Sequence, residues 1–320
     1  MTVYIGVDIG GTKIAASTVD STGKVLEKAR RETPAQDVGA IANAVAEVAA
    51  ELQAKSGGQT IGGIGVACAG FVDADGEAVV FAPNLAWRDE PLAQRLRDAT
   101  GLPVTLDNDA NAAAWGEFKF GAAREAKDTV MVTLGTGVGG GIISQDQLTR
   151  GAHGMAAEIG HLRVVPDGRR CGCGNRGCWE QYASGTALVR EAREMVAAQS
   201  PHAAELSALC GGDPQALSGT MITTAAKAGD QASIELLEDI GHWVGEGMAS
   251  LAAVLDPDMF VIGGGVSAAG DLVLEPARAA FARQLTARGH RPLPPMVIAA
   301  LGNDAGMIGA ADLAAVRFGQ

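Results

Sequence analysis

The sequence has few aromatic residues, an excess of negative over positive charge and no long apolar run. Phe, Trp and Tyr make up 4% of its 320 residues, while Gly alone contributes 44. A core of Ala, Val and Gly lets backbones approach closely, and clustered glycines mark turns where the main chain can meet a ligand. The net charge of −12 argues against nucleic acid as a partner, because gripping a phosphate backbone needs a basic surface. It still allows a small phosphorylated ligand, held by backbone N–H groups and a magnesium ion. No uninterrupted apolar stretch of about eighteen residues occurs, so no membrane span is expected. The start, MTVYIGVDIGG, carries neither the basic region nor the cleavage pattern of a secreted chain. There are five cysteines, three of them within Cys171–Cys178. An odd, clustered set fits a reducing cytoplasm better than a disulfide framework. With 47% hydrophobic and 19% charged residues, a sizeable core can form and disorder is not expected.

Strands and helices alternate along the chain. VYIGVDIGG, TKIAASTVD and VLEKARRETP read as a meander with two tight turns. A helix is predicted over 40–55, with Ile41, Val45, Val48 and Leu52 on one face. A buried strand ending in glycine (IGGIGVACAG), a helix (PLAQRLRDAT), a strand ending in polar residues (LPVTLDND) and a helix over 110–120 follow. A second hairpin, TVMVTLGTG with VGGGIISQD, repeats the layout of the first. The stretch 184–255 reads as mainly helical. It is followed by the strand PDMFVIGGGVS, a helix over 271–288, the strand MVIAAL and a final helix over 305–317. Such alternation implies an α/β fold. Two similar halves, each opening on a glycine-turn hairpin, would bring two phosphate-cradling loops to face each other across a cleft.

Asp8-Ile9-Gly10-Gly11-Thr12-Lys13 closes the first strand. The glycines let backbone come close to phosphate, Thr12 and Lys13 add donors or charge, and Asp8 is placed to hold magnesium. The second loop, Leu134 to Gly141, contains Thr136 and Gly137 within a G-x-G-x-x-G run. That run is not a dinucleotide fingerprint, which requires a helix after the glycines; here Ile142-Ile143-Ser144 continues as a strand. No protein-kinase signature or Walker A sequence accompanies it. Gly263-Gly264-Gly265 ends a third glycine strand, which is weak on its own.

Asn108 and Asp109 stand at a strand-to-helix junction. Asp109 there can cap the helix, or act as general base toward a hydroxyl while Asn108 orients a neighbouring one. Phosphoryl transfer needs little more than an in-line nucleophile, a proton acceptor and neutralised phosphate charge. His161, Cys171, Cys173 and Cys178 form H-x9-C-x-C-x4-C in a glycine-rich stretch. One imidazole and three thiolates make a closed tetrahedral zinc set, whereas a disulfide would strand one thiol. The loop would also pin Glu158, His161 and Glu180 together. A metal-bound imidazole keeps a second N–H to donate, and with two carboxylates it suits vicinal hydroxyls. Cys68 and Cys210 lie in apolar contexts and read as core.

These motifs (DIGGTK, FAPNLAW, LDNDANAAAWGE, TLGTGVGGGI, AAEIGH, CGCGNRGCWEQYASG and VIGGGVS) resemble the ROK family of repressors and kinases over essentially the whole chain, and look most like its glucokinases. The resemblance implies a duplicated ribonuclease-H-like fold of the actin, sugar kinase and heat-shock type. One lobe would comprise 1–120 with about 302–320, the other 121–301 with the zinc loop and a helical insertion. It implies ATP and magnesium as cofactors, with Asp8, Gly10, Gly11, Thr12, Lys13, Thr136 and Gly137 on the phosphates and Gly264 and Gly265 near the adenosine. It implies Asp109 as base and sugar contacts from Asn84, Asn108, Asp109, Glu158, His161 and Glu180. The activity implied is ATP-dependent phosphorylation of glucose by a cytoplasmic homodimer or homotetramer. A kinase for mannose, N-acetylmannosamine or fructose, or a sugar-sensing regulator without catalysis, are the alternatives. Repressors of the family carry a DNA-binding segment before DIGGTK, for which there is no room ahead of the first strand. Asp107 stands where many relatives carry Glu, and no consequence is expected of it.

Overall fold

The computed structural model describes residues 2–82, 85 and 87–319. In chain order come β1 (Thr2–Ile9), β2 (Lys13–Val19), β3 (Val25–Glu32), α1 (Val38–Lys55) and β4 (Thr60–Cys68). The short strands β5 (Phe71–Val72), β6 (Val79–Phe81) and β7 (Arg88–Glu90) precede α2 (Leu92–Thr100), β8 (Val104–Asn108) and α3 (Asp109–Phe120). Then follow β9 (Thr129–Leu134), β10 (Val138–Ser144), β11 (Gln147–Leu148), α4 (Glu180–Ala183), α5 (Gly185–Ala197), α6 (Ala204–Leu209), α7 (Gly219–Lys227) and α8 (Gln231–Leu255). The chain closes with β12 (Met259–Gly263), α9 (Asp271–Gln284), β13 (Met296–Ile298) and α10 (Ala305–Phe318).

Two five-stranded sheets have the same plan, β3-β2-β1-β4-β8 and β11-β10-β9-β12-β13. The loose repeat seen in the hairpins is therefore a repeat of whole sheets. The chain divides into two compact units. One is Met1–Met131, Gly141–Ala157 and Ala299–Gln320; the other is Val132–Gly140 and Glu158–Ile298.

In the first unit β1 alternates strictly: Val3, Ile5, Val7 and Ile9 are fully buried in a core shared with Ile41, Val45, Val48 and Leu52 of α1. The opposite face of the sheet meets α10 with almost no side chain between. A Cβ at Gly6 would collide with the Met307 carbonyl oxygen, and one at Gly65 with that of Ala310. Glycine here permits backbone-to-backbone contact between helix and sheet, which accounts for part of the unusual glycine content. In the second unit the Trp179 ring is fully buried, and its indole N–H donates to the Trp243 carbonyl at 2.7 Å.

Three boundaries differ from the sequence reading, each for a physical reason. α1 begins at Val38 because Asp37 caps it, accepting from the Ala40 N–H at 3.0 Å. α9 stops at Gln284, and the left-handed Ala287 three residues on prevents its continuation toward Arg288. β13 stops at Ile298 because the next N–H groups are taken by a side chain: Ala300 and Leu301 donate to the Glu117 carboxylate at 3.0 and 2.7 Å.

Candidate active site

In the first unit β1, β4 and β8 run parallel, and their carboxyl ends lie side by side: Ile9 pairs with Cys68, and Cys68 with Asn108. Open α/β sheets bind ligands beyond such ends. Asp8, Cys68, Asn108 and Asp109 gather there. Burial pushes the Asp8 carboxyl above the usual carboxylate range, and the nearby Lys13 ammonium opposes this. The Cys68 thiol is pushed far up by burial, reinforced by the charges of Asp109, Asp8 and Asp107, so it is an inert core group. The turn after β1 is closed by Gly10 N–H to Lys13 O at 3.0 Å, and Thr33 Oγ1 donates to Gly10 O at 2.8 Å.

The cap of α3 is Asn108, not Asp109. Asn108 Oδ1 accepts from the N–H groups of Ala110 and Asn111 at 2.8 and 3.1 Å, while its Nδ2 donates to Gly70 O at 3.1 Å. Asp109 is the first helical residue, with Oδ1 accepting from the Ala110 N–H at 2.9 Å. Asn84 lies outside the described residues.

The second unit gathers the other expected residues. The ligand atoms of His161, Cys171, Cys173 and Cys178 all lie within 4.8 Å of one another. Cys171 Sγ is 3.7 Å from His161 Nδ1, and Cys173 Sγ is 3.6 Å from Cys178 Sγ. With zinc–sulfur bonds of about 2.3 Å a tetrahedron has edges of about 3.8 Å, so the donor set fits zinc in chemistry and in size. Burial pushes the Cys171 and Cys178 thiols up; Glu180 adds to this for Cys171, which donates to its carboxylate, and Cys173 adds to it for Cys178. Burial also opposes ionisation of Cys173, but hydrogen bonds from Asn175 and the other two cysteines draw its thiol down overall. His161 Nε2 is 4.0 Å from Glu158 Oε2, and its Nδ1 is 3.9 Å from Glu180 Oε1. Burial raises the Glu158 carboxyl; His161 opposes the shift and Glu180 adds to it.

This cluster borders the second glycine turn. A Cβ at Gly137 would stand 2.5 Å from Glu180 Oε2, and one at Gly160 would collide with the Val138 carbonyl oxygen. Glycine at both positions lets the Glu158–His161 turn and Glu180 approach the Thr136–Gly137 backbone. Beside the same turn opens a cavity of about 1060 Å³, lined among others by Gly135, Thr136, Gly185, Val189, Thr223 and Gly265. Its size is at the upper end of small-ligand sites. At the cavity wall α5 begins at Gly185, capped by Ser184, and a helix start of this length favours anions. Gly265 lines the cavity, whereas Gly264, at φ +83°, packs on the backbone of Leu134.

Two positions escaped the sequence reading, Glu117 and Arg150. Glu117, fully buried, accepts from the N–H groups of Ala122, Ala300 and Leu301. Asp107, of which no consequence was expected, is buried and pairs with the partly exposed Arg150 at 2.7 Å. A lone acid within the otherwise apolar run AAAWGEF was the only local signal for Glu117, and none existed for Arg150.

These sheets and this site define a sugar-kinase-type phosphotransferase fold, and residues 4–317 match the ROK family, to which the chain belongs. It is 46% identical over 314 residues to a glucokinase of Streptomyces coelicolor, covering 98% of each chain. The structure is similar to that of a ROK family glucokinase from Streptomyces griseus in complex with glucose and AMPPNP, with a TM-score of 0.88 and 47% identity over 97% of this chain and 98% of the other. A ROK hexokinase from Thermus thermophilus matches with a TM-score of 0.79 and 34% identity over 98% of both.

Proposed function

We infer that this chain is a glucokinase, transferring the γ-phosphoryl group of ATP to the 6-hydroxyl of glucose. The observation that supports this most strongly is the approach of Glu180 and the Glu158–His161 turn to the Thr136–Gly137 backbone. Acceptors suited to vicinal sugar hydroxyls lie against a turn suited to phosphate, as a transfer between the two requires.

In this reading Asp109 takes the proton of the 6-hydroxyl as its oxygen attacks the γ-phosphorus, and the bond from that phosphorus to the β-bridging oxygen breaks. A well-placed base contributes about 10²–10⁴-fold. Asn84, Asn108, Glu158, His161 and Glu180 hold the sugar. The N–H groups around Gly10, Gly11 and Thr12, the Lys13 ammonium and the Thr136–Gly137 turn hold the phosphates, and Gly264–Gly265 border the adenosine. Asp8 would hold Mg²⁺ directly or through water; when bound, that ion supplies neutralising charge to the β- and γ-phosphates. Zinc on His161, Cys171, Cys173 and Cys178 would supply rigidity to the sugar-binding turn. The lobes are assigned as 1–120 with about 302–320, and 121–301; the compact units differ from this in placing 121–131, 141–157 and 299–301 with the first. The enzyme is assigned to the cytoplasm, as a homodimer or homotetramer.

The test is a coupled assay of glucose 6-phosphate with ATP, Mg²⁺ and glucose, run in parallel with mannose, fructose, glucosamine and N-acetylmannosamine. Turnover highest on glucose is expected. Glucose binding without turnover on any sugar would make the protein a sensor.

A further inference from the structure

The ion pair behind the end of β8 has no part in the reaction as assigned so far. Asp107 Oδ2 accepts from Arg150 Nε at 2.8 Å and stands 2.7 Å from its second terminal nitrogen. Asp107 Oδ1 accepts from the Asn108 N–H at 2.9 Å and from Asn111 Nδ2 at 3.0 Å. One carboxylate therefore ties the cap and first turn of α3 to a guanidinium 43 residues away. Arg150 in turn opens a segment held on the first unit. Its carbonyl accepts from the Ala156 N–H at 3.0 Å, and Gly154 lies so close to Val72 and Asp73 that no Cβ would fit. The next residues in sequence are Ala157 and Glu158, the start of the sugar-binding turn.

The Asp107 side chain is 7% exposed and that of Arg150 36%. Removing a carboxylate from water costs much of what the pair gains, so stability alone is a weak reason for such a pair. Its hydrogen bonds instead specify a geometry. Resting on the assignment of Asp109 as base, we propose that Asp107 and Arg150 are positioning residues for the phosphoryl transfer. The pair holds the first turn of α3, and with it the Asp109 carboxylate, and anchors the segment that leads to Glu158. The charged and titratable groups at this strand end are Asp8 of β1 with Lys13 beside it, Cys68 of β4, Asp107 of β8 and Arg150. A cavity of about 590 Å³ bordered by both members of the pair gives altered side chains room without repacking.

The experiment compares Asp107→Asn, Arg150→Met, the double variant, Asp107→Glu and Asp109→Asn, all well below their melting temperatures. Both single variants of the pair should lower kcat roughly tenfold while leaving KM for MgATP within about twofold, the pattern of a misplaced reacting group. Asp107→Glu should recover most of the loss. The acid limb of kcat/KM for glucose should move in opposite directions. In Asp107→Asn the unpaired Arg150 shifts it to lower pH; in Arg150→Met the unpaired Asp107 shifts it to higher pH, by about half a pH unit each. The double variant should return the limb to near its wild-type position. Should Arg150→Met not fold, Arg150→Gln gives the same sign. Lowered melting temperatures with kcat and the acid limb unmoved would overturn the proposal and leave a structural pair. Near-normal turnover of Asp109→Asn would instead remove the base assignment, and the positioning role with it.

Discussion

Asn108 takes the capping of α3, so the helix does not need the Asp109 carboxylate for its N-terminal N–H groups. Replacing Asp109 by Asn keeps shape and hydrogen-bonding capacity but removes the proton acceptor. Turnover should fall by at least ~100-fold, while glucose binding measured by titration calorimetry keeps near-normal affinity. Turnover within a few-fold of wild type would contradict the assignment. Asp8 carries an opposite balance of costs. Its carboxyl is raised by burial, so the folded state holds the proton more tightly than the unfolded chain. That contribution to stability is full below the unfolded pKa and is lost as pH rises through the folded value. At neutral pH the ionised group is therefore a burden in the ligand-free protein. Asp8→Asn should melt higher than wild type at pH 7, with the difference shrinking toward acid, while MgATP-dependent turnover collapses. Melting curves across pH and a single kinetic series test both halves, which together form a stability–activity trade-off.

At the level of elements, the crossing of the chain at residues 300–301 is held by a side chain rather than by a sheet. Glu117 reaches from α3 to satisfy three backbone N–H groups, those of Ala122, Ala300 and Leu301. Glu117→Ala would take the shared acceptor from these three N–H groups and leave a cavity where a fully buried side chain stood, so a loss of about 2–3 kcal/mol in denaturant unfolding is expected. A loss below ~1 kcal/mol would mean that water replaces the carboxylate. The zinc loop is the other element with little core of its own. Elemental analysis of the purified protein should find about one zinc per chain. Cys173→Ser or a strong chelator should lower thermal stability and glucose affinity together, since metal binding and local folding are coupled. His161, one of the four ligands, and Glu180 beside it would lose their fixed positions in the same event. Stability that fell while glucose affinity stayed intact would separate the metal from the sugar site.

For the whole molecule, the proposed reading reconciles acidity with phosphate binding, because its donors would be backbone N–H groups at turns and the single Lys13 ammonium rather than a basic surface. Ligands that bind only the folded enzyme should raise its melting temperature in proportion to the logarithm of their concentration. Glucose at one hundred times its dissociation constant adds about 2.7 kcal/mol. Scanning calorimetry of Asp109→Asn should show the same glucose-dependent rise, because only the proton acceptor is gone; absence of the rise would place Asp109 in binding rather than in the chemical step. The sequence by itself determined the doubled α/β plan, the two glycine turns, the acids at the ends of β1 and β8, and the zinc set His161, Cys171, Cys173 and Cys178. Each is written in residues close together, where turn chemistry, strand alternation and ligand spacing act locally. Only the tertiary structure decided that Asn108 rather than Asp109 caps α3, that Glu117 ends β13, and that Asp107 holds Arg150. The Glu117 and Asp107 partners lie 183 and 43 residues away, and pairing across such distances follows from how the sheets and helices pack. The cavity beside Thr136 is of the same kind, since its walls come from α5, α7 and the turn after β12, which meet only in the folded chain.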